Sequence, residues 1–188
     1  VNISMSDFAI ENNDSIRFGL SAVKNVGRAA IDVLLAARIK GEDFKSLSDF
    51  TRKADLSKVN RKTIESLIKA GAMDKYGNRM ALLSALPEIM AKANNYKKQQ
   101  ASGQSMLFGD TTAVEESDKL IELEELQKSQ QLMLEKEMLG FYLTDHPFSL
   151  HREALSKMVT HNIVEVGEEL VNENIKIGCV YYLRNEIN

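Results

Sequence analysis

Two short basic strings carry the residues best suited to meet a ligand: Lys24-Asn25-Val26-Gly27-Arg28 and Lys58-Val59-Asn60-Arg61-Lys62. In each, lysine precedes a tight turn, arginine follows it, and an apolar-periodic run begins at once. The first amides of a helix have no partner inside it and point outward. Together with the helix dipole they make a seat for an anion such as phosphate. Gly27 or Asn60 permits close backbone approach or a positive φ at the turn. Lys24 and Arg28 in one string, and Lys58, Arg61 and Lys62 in the other, add charge and counterion release. Contacts of this kind position a protein on a polyanion without reading its sequence.

The elements that must present these strings form an internal repeat. Val26 to Leu35 can be laid on Val59 to Ile68 at an offset of 33 residues, with Val, Arg, Ile and Leu recurring identically. Upstream, Val23 meets Leu56. Each copy predicts a short apolar helix, a hairpin and a longer helix. Ile31, Leu34, Leu35 and Ile39 share one face of the first long helix; Ile64, Leu67 and Ile68 mark the second, ended at Gly71. Two copies are too few for a solenoid, so a paired motif is expected. The other reading is two helical hairpins that pack as a structural bundle, with Val26 and Val59 in the core and the basic residues solvated.

Around this pair the pattern is mainly helical. Phe8 to Glu11 and Ile16 to Phe18 alternate apolar and polar residues about a turn-rich Asn12-Asn13-Asp14-Ser15, which predicts a short β-hairpin. Gly41 is a plausible stop for the first long helix, and Ser46 or Ser48 can cap a short helix holding Phe50. Asn78 can cap a long helix, which Pro87 should kink or divide. A charged helix is expected from about Ser117 to Leu139, closed by Gly140. A turn follows at His146-Pro147, another helix over Phe148–Met158, and a strand near Ile175–Leu183. The fold class expected is therefore mainly α, with a short N-terminal β-hairpin, the paired helix-hairpin-helix motifs, further helices and C-terminal strand sequence.

The 188 residues carry a net charge of −3, unevenly spread. From Arg17 to Arg79, 14 Lys/Arg stand against 7 Asp/Glu; from Asp110 to Gly140, 9 acidic residues stand against 3 basic ones. That asymmetry suits a polyanion-binding part beside a non-binding part, and it also suits two ordinary solvated faces. No run approaches the roughly 18 apolar residues of a membrane span, and the sequence shows no charged-then-apolar leader pattern, so nothing in it indicates secretion. The single Cys179 forms no internal disulfide and reads as core, in a reducing cytoplasmic setting. A start at Val1 and a stop at Asn188 suggest a piece of a longer protein.

One further string stands out. Gln104-Ser105-Met106-Leu107-Phe108 lies between Gly103 and Gly109, in a polar stretch that reads as a loop or linker. Three large apolar residues there suggest a docking peptide, or else a satellite cluster folded back on the helices.

Val23 to Ala30 resembles the helix-hairpin-helix motif of DNA repair and replication proteins. The strings Ile16 to Leu20, Ser66 to Ala72, and Glu135 to Leu143 with His146-Pro147 resemble, in order, the alpha subunit of bacterial DNA polymerase III. The usual hairpin has two glycines; here Asn25 takes the first position, and the second hairpin has none. The resemblance implies a duplex-DNA-holding, sliding-clamp-tethering segment of a replicative polymerase. Lys24, Asn25, Val26, Gly27 and Arg28, with Lys58, Asn60, Arg61 and Lys62, would face DNA. Gln104, Met106, Leu107 and Phe108 would enter the clamp's pocket. The implied organisation is a hairpin closing the fingers region at 1–19, a tandem helix-hairpin-helix domain at 20–101 and a clamp-binding loop at 102–113. A helical segment at 114–160 and the start of an oligonucleotide-binding barrel at 161–188 would follow. Partners would be double-stranded DNA, the sliding clamp and other polymerase III subunits, with no membrane.

No catalytic constellation is expected in this chain. His146, His151 and His161 are isolated, and Glu122, Glu124 and Glu125 read as a solvated helix face. The paired carboxylates that hold two metal ions for nucleotidyl transfer would, by the resemblance, lie upstream, so no metal or cofactor is expected here. Two readings compete with the polymerase segment: a stand-alone helical adaptor with an incidental basic patch, and a repair nuclease's helix-hairpin domain, which the lack of an acidic metal cluster disfavours.

Overall fold

The computed structural model describes residues 1–12, 14–40, 43–101, 118 and 120–179, with the backbone alone at 39, 40, 100 and 101. The chain opens with an antiparallel pair, β1 (Ala9–Glu11) and β2 (Ser15–Arg17), registered so that Ile10 faces Ile16. Asn12, at φ 50°, makes the left-handed bend between them, and the Arg17 guanidinium closes the ladder on the Glu11 carboxylate.

The first copy of the repeat is a 3₁₀ turn (Leu20–Ala22), a hairpin and α1 (Arg28–Lys40); the second is α2 (Leu47–Lys53), a longer turn and α3 (Arg61–Lys69). The two long helices begin on arginines 33 residues apart, as the sequence offset predicts. The matched apolar positions are core: Val26 with Val59, Ile31 with Ile64 and Leu34 with Leu67 are all buried. Each such burial contributes roughly 1.5–3 kcal/mol. The repeated letters therefore encode a packing template, whereas the repeated arginine stays outside it.

Ser46 caps α2 by accepting from the Asp49 amide at 3.1 Å, and Phe44 meets Phe50 edge-on at 5.0 Å between centroids. Asn78 caps α4 (Arg79–Ala101), its Oδ1 accepting from Met80 N at 2.8 Å. Of the kink or division expected at Pro87, the division does not occur: α4 continues through the proline as one helix. Its stripe of Leu82, Leu86, Ile89 and Ala93 is buried on both sides of the proline, against α2 and α3. That packing carries the helix past one missing hydrogen bond.

The charged helix expected from Ser117 is shorter. α5 covers Lys128–Leu139, and 120–127 run without helix. Distant partners hold that stretch instead. The Asp118 carboxylate accepts from Leu47 N at 2.7 Å and Ser48 N at 3.1 Å, capping α2. Leu120 lies where a side chain at Gly77 would collide with it, and Asn78 Nδ2 donates to Leu123 O at 3.1 Å. Glu122, Glu124 and Glu125 are exposed, but on this strap and not on a helix. Helix α5 then starts where Gln127 N donates to Gln130 Oε1 at 3.1 Å, and it ends at Gly140 with φ 86°.

Beyond α5, a 3₁₀ segment (Pro147–His151) leads into a short α6 (Arg152–Ser156) in place of one helix over Phe148–Met158. His146 caps the 3₁₀ segment through Nδ1. The described part of the expected C-terminal strand, 175–179, forms no ladder. It meets Thr160, whose N–H donates to Lys176 O at 2.9 Å. Cys179 is exposed, not core; without a sheet, nothing in the described residues covers it. Residues 180–188 lie outside the described residues.

Candidate nucleic-acid interface

The first hairpin is held from three sides. Val26 N donates to Val23 O at 3.1 Å, closing the turn. Asn25 adopts φ 65°, the left-handed conformation expected where the motif usually has glycine. Both its side chain and its backbone are bound: Nδ2 donates to Ser66 Oγ at 3.1 Å, and the backbone carbonyl accepts from Thr63 Oγ1 at 3.0 Å. Both partners are on α3, so the second copy supports the turn of the first. From the other side, Lys24 N donates to Met138 O in the last turn of α5 at 2.8 Å.

What this frame presents is the start of α1. The Gly27 carbonyl accepts from Ala30 N and Ile31 N, at 3.0 and 3.1 Å. Among the described residues, the amides of Gly27, Arg28 and Ala29 have no protein acceptor. All three residues are exposed, and a Cβ at Gly27 would meet nothing within 4 Å. The left-handed position is thus Asn25; Gly27 serves by leaving the first-turn amides uncovered. Lys24 and Arg28 flank them in solvent, Arg28 leaning toward Asp32 at 3.4 Å. Val26, expected from the resemblance to face DNA, is buried and contributes turn geometry, because its side chain and its amide are both engaged internally.

The second hairpin differs. Asn60 sits at φ −76°, not in the left-handed region, and acts as a side-chain cap. Its Oδ1 accepts from Thr63 N at 3.0 Å and so covers the start of α3. Asp55 occupies the same turn, accepting from Ser57 N through Oδ1 at 3.0 Å and from Lys58 N and Val59 N through its carbonyl. Hydrogen bonds from the Ser57 amide and hydroxyl, with Lys97 and Lys58 nearby, hold the Asp55 carboxyl below the usual carboxylate range. Lys58, Arg61 and Lys62 are exposed, but Arg61 pairs with Glu65 at 2.7 Å. The equivalents in the first copy are Ala22 for Asp55 and Gly27 for Asn60, so that copy has neither the acid nor the occupying carbonyl.

A buried ionic cluster, absent from the sequence reading, ties these parts together. Arg79 is 5% exposed and Glu135 1%. The Arg79 guanidinium donates to Asp74 at 2.9 and 2.7 Å, to Lys69 O at 3.1 Å and to Glu135 Oε1 at 3.3 Å. Burial disfavours its charge, but the Asp74 and Glu135 carboxylates more than offset this, and its pKa rises. Glu135 also accepts from Leu143 N, Thr144 N and Thr144 Oγ1, at 3.3, 3.0 and 3.1 Å.

Gln104, Met106, Leu107 and Phe108 lie outside the described residues. Among the described residues, no three His, Cys, Asp or Glu are grouped to hold a metal ion, and no helix is long and apolar enough to cross a membrane.

A family model described as the helix-hairpin-helix motif matches residues 1–82, which include both hairpins. The DNA polymerase III subunit alpha of Vibrio cholerae is 33% identical over 181 residues, 95% of this chain and 16% of the relative. That of Thermus aquaticus is 38% identical over 168 residues, 89% of this chain and 13% of the relative. That of Deinococcus radiodurans is 37% identical over 181 residues, again 95% and 13%. The chain spans at most about a sixth of the length of these curated relatives. Matched nearly end to end by the same subunit from several bacteria, the chain belongs to the DNA polymerase III alpha subunit family, as the counterpart of one stretch of that subunit.

Proposed function

We propose that this chain is the part of a replicative DNA polymerase that holds duplex DNA by its backbone, without itself supplying catalytic carboxylates. The observation that carries the proposal is the start of α1. Three uncovered amides, of Gly27, Arg28 and Ala29, sit at the positive end of a 13-residue helix in the same turn as Lys24 and Arg28, inside the residues that match the helix-hairpin-helix model. A phosphate oxygen fits such a seat, and no base edge needs to be read. The second hairpin serves chiefly as the buttress of the first, through Thr63 and Ser66.

Fluorescence anisotropy on duplex DNA across a salt series tests this reading. Binding is expected at low salt and is weakened by salt; no binding at low salt, or binding unchanged in Lys24→Glu/Arg28→Glu, overturns it.

We further propose that Gln104–Phe108 tethers the polymerase to a sliding clamp, with Gln104 at the pocket rim and Met106, Leu107 and Phe108 inside. The support is the order of the chain: a Gln-x-x-Leu-Phe string following the DNA-holding pair. Two or three apolar side chains, at roughly 1.5–3 kcal/mol each less ordering costs, set a micromolar ceiling of about 8 kcal/mol. A peptide spanning Ser102 to Gly109, titrated against a bacterial clamp, should bind. Equal binding by Leu107→Ala/Phe108→Ala rejects the motif.

A further inference from the structure

The first hairpin has few bonds of its own. Its turn is closed by one backbone bond, and its direction is set by two outside helices: α3 through Asn25, and α5 through the Lys24 amide on Met138 O. Phe18, just before the hairpin unit, also packs on Phe141, just past the end of α5, at 5.2 Å between centroids. Both supporting helices converge on one buried guanidinium. Arg79 Nη1 donates to the carbonyl of Lys69, the last residue of α3, and Nη2 reaches Glu135, one turn before Met138 on α5.

We propose that Glu135 is a positioning residue for the phosphate grip of the first hairpin, an inference that rests on the DNA-holding reading above. Its carboxylate fixes α5 along and about its axis: Arg79 holds it from the α3 side, and the Leu143 and Thr144 amides with the Thr144 hydroxyl hold it from the returning turn. One turn on, Met138 O then places the Lys24 amide, and with it the uncovered amides of Gly27 to Ala29. A buried ion pair is a weak way to gain stability compared with apolar packing. It is directional, however, and a shift of about 1 Å takes an N–H···O contact from about 2.9 Å out of hydrogen-bonding range.

The test uses the full chain and a duplex of about 20 base pairs, titrated between about 50 and 200 mM salt. A loss of folded protein lowers apparent affinity but leaves the slope of log affinity against log salt unchanged. A misplaced hairpin lowers the slope, by about one for each phosphate it no longer neutralises. Glu135→Gln is expected to lower the slope by about one and to speed hydrogen exchange at the Lys24 amide. Ile89→Ala, a core truncation in α4, is expected to keep the wild-type slope. A folded Glu135→Gln protein with the wild-type slope overturns the proposal. Should Glu135→Gln not fold, Thr144→Val decides, since it removes the hydroxyl bonds and leaves Arg79 paired; an unchanged slope there overturns it equally. If wild-type protein shows no duplex binding at low salt, the DNA-holding reading falls and this inference falls with it. Binding by wild type with a normal slope in folded Glu135→Gln, or in Thr144→Val where Glu135→Gln does not fold, removes the inference alone.

Discussion

The two hairpins use one packing template for two ends. Both start a long helix on an arginine, and both bury Val, Ile and Leu at matched positions. In the first, the turn residue takes a left-handed φ, the next glycine is bare, and three amides face solvent. In the second, an asparagine side chain covers the helix start and an aspartate shares the turn. Core positions thus keep the repeat recognisable, while four exposed or turn positions divide the labour: Asn25 and Gly27 against Lys58 and Asn60. A repeat identified by its buried letters says little about which copy binds.

The widest separation between the copies should come from charge reversal. Lys24→Glu/Arg28→Glu is expected to weaken duplex binding by about 30-fold at low salt and to lower the salt slope by about two. Lys58→Glu/Lys62→Glu should cost only about two- to threefold. Equal losses from the two pairs would abolish the asymmetry.

Next is the turn itself. Asn25→Ala places a Cβ residue at φ 65° and removes the Ser66 bond, which should cost about 2 kcal/mol of stability. Asn25→Gly keeps the conformation and should lose about 1 kcal/mol or less. Chemical denaturation of both variants checks this, and an Ala variant no worse than the Gly variant would show that the left-handed φ is unimportant.

Asn60→Ala should cost about 1 kcal/mol through the lost cap while leaving duplex affinity within about twofold, because that cap competes with phosphate. A fall in affinity larger than the stability loss would make the second hairpin a binder in its own right. The smallest effect belongs to Asp55→Asn, expected to raise affinity by about twofold through loss of one like charge near the second seat. Because the Asp55 pKa is lowered in the fold, its stabilising bonds are present above the ordinary carboxylate range and are lost only as pH falls through the lowered value. The contrast between wild type and Asp55→Asn should therefore be flat across neutral pH, which a binding series at several pH values would show.

Much of this arrangement is written locally in the chain. The β-hairpin, the offset of the two copies, the Ser46 and Asn78 caps and the Gly140 stop each depend on residues within a few positions of one another. The features that were not legible depend on distant partners. The stretch 120–127 has helical composition, yet Asp118, Leu120 and Leu123 are claimed by α2, Gly77 and Asn78. The Arg79–Glu135 pair joins residues 56 positions apart, and charged letters on helices look solvated until the fold buries them. Val26 reads as a turn residue from its neighbours in sequence, whereas its burial depends on a core gathered from both copies and from α4.

The Asp118 cap has a consequence for how the protein is made. It completes the start of α2 from 71 residues downstream, and Met138 completes the first hairpin from farther still. On a ribosome adding about 5–20 residues per second, both hairpins are synthesised many seconds before their last supports emerge. The first hairpin, early in translation order, is thus finished late. In a nascent chain stalled after Ala101, the Lys24 amide should exchange freely, and it should become protected only once α5 has cleared the exit tunnel.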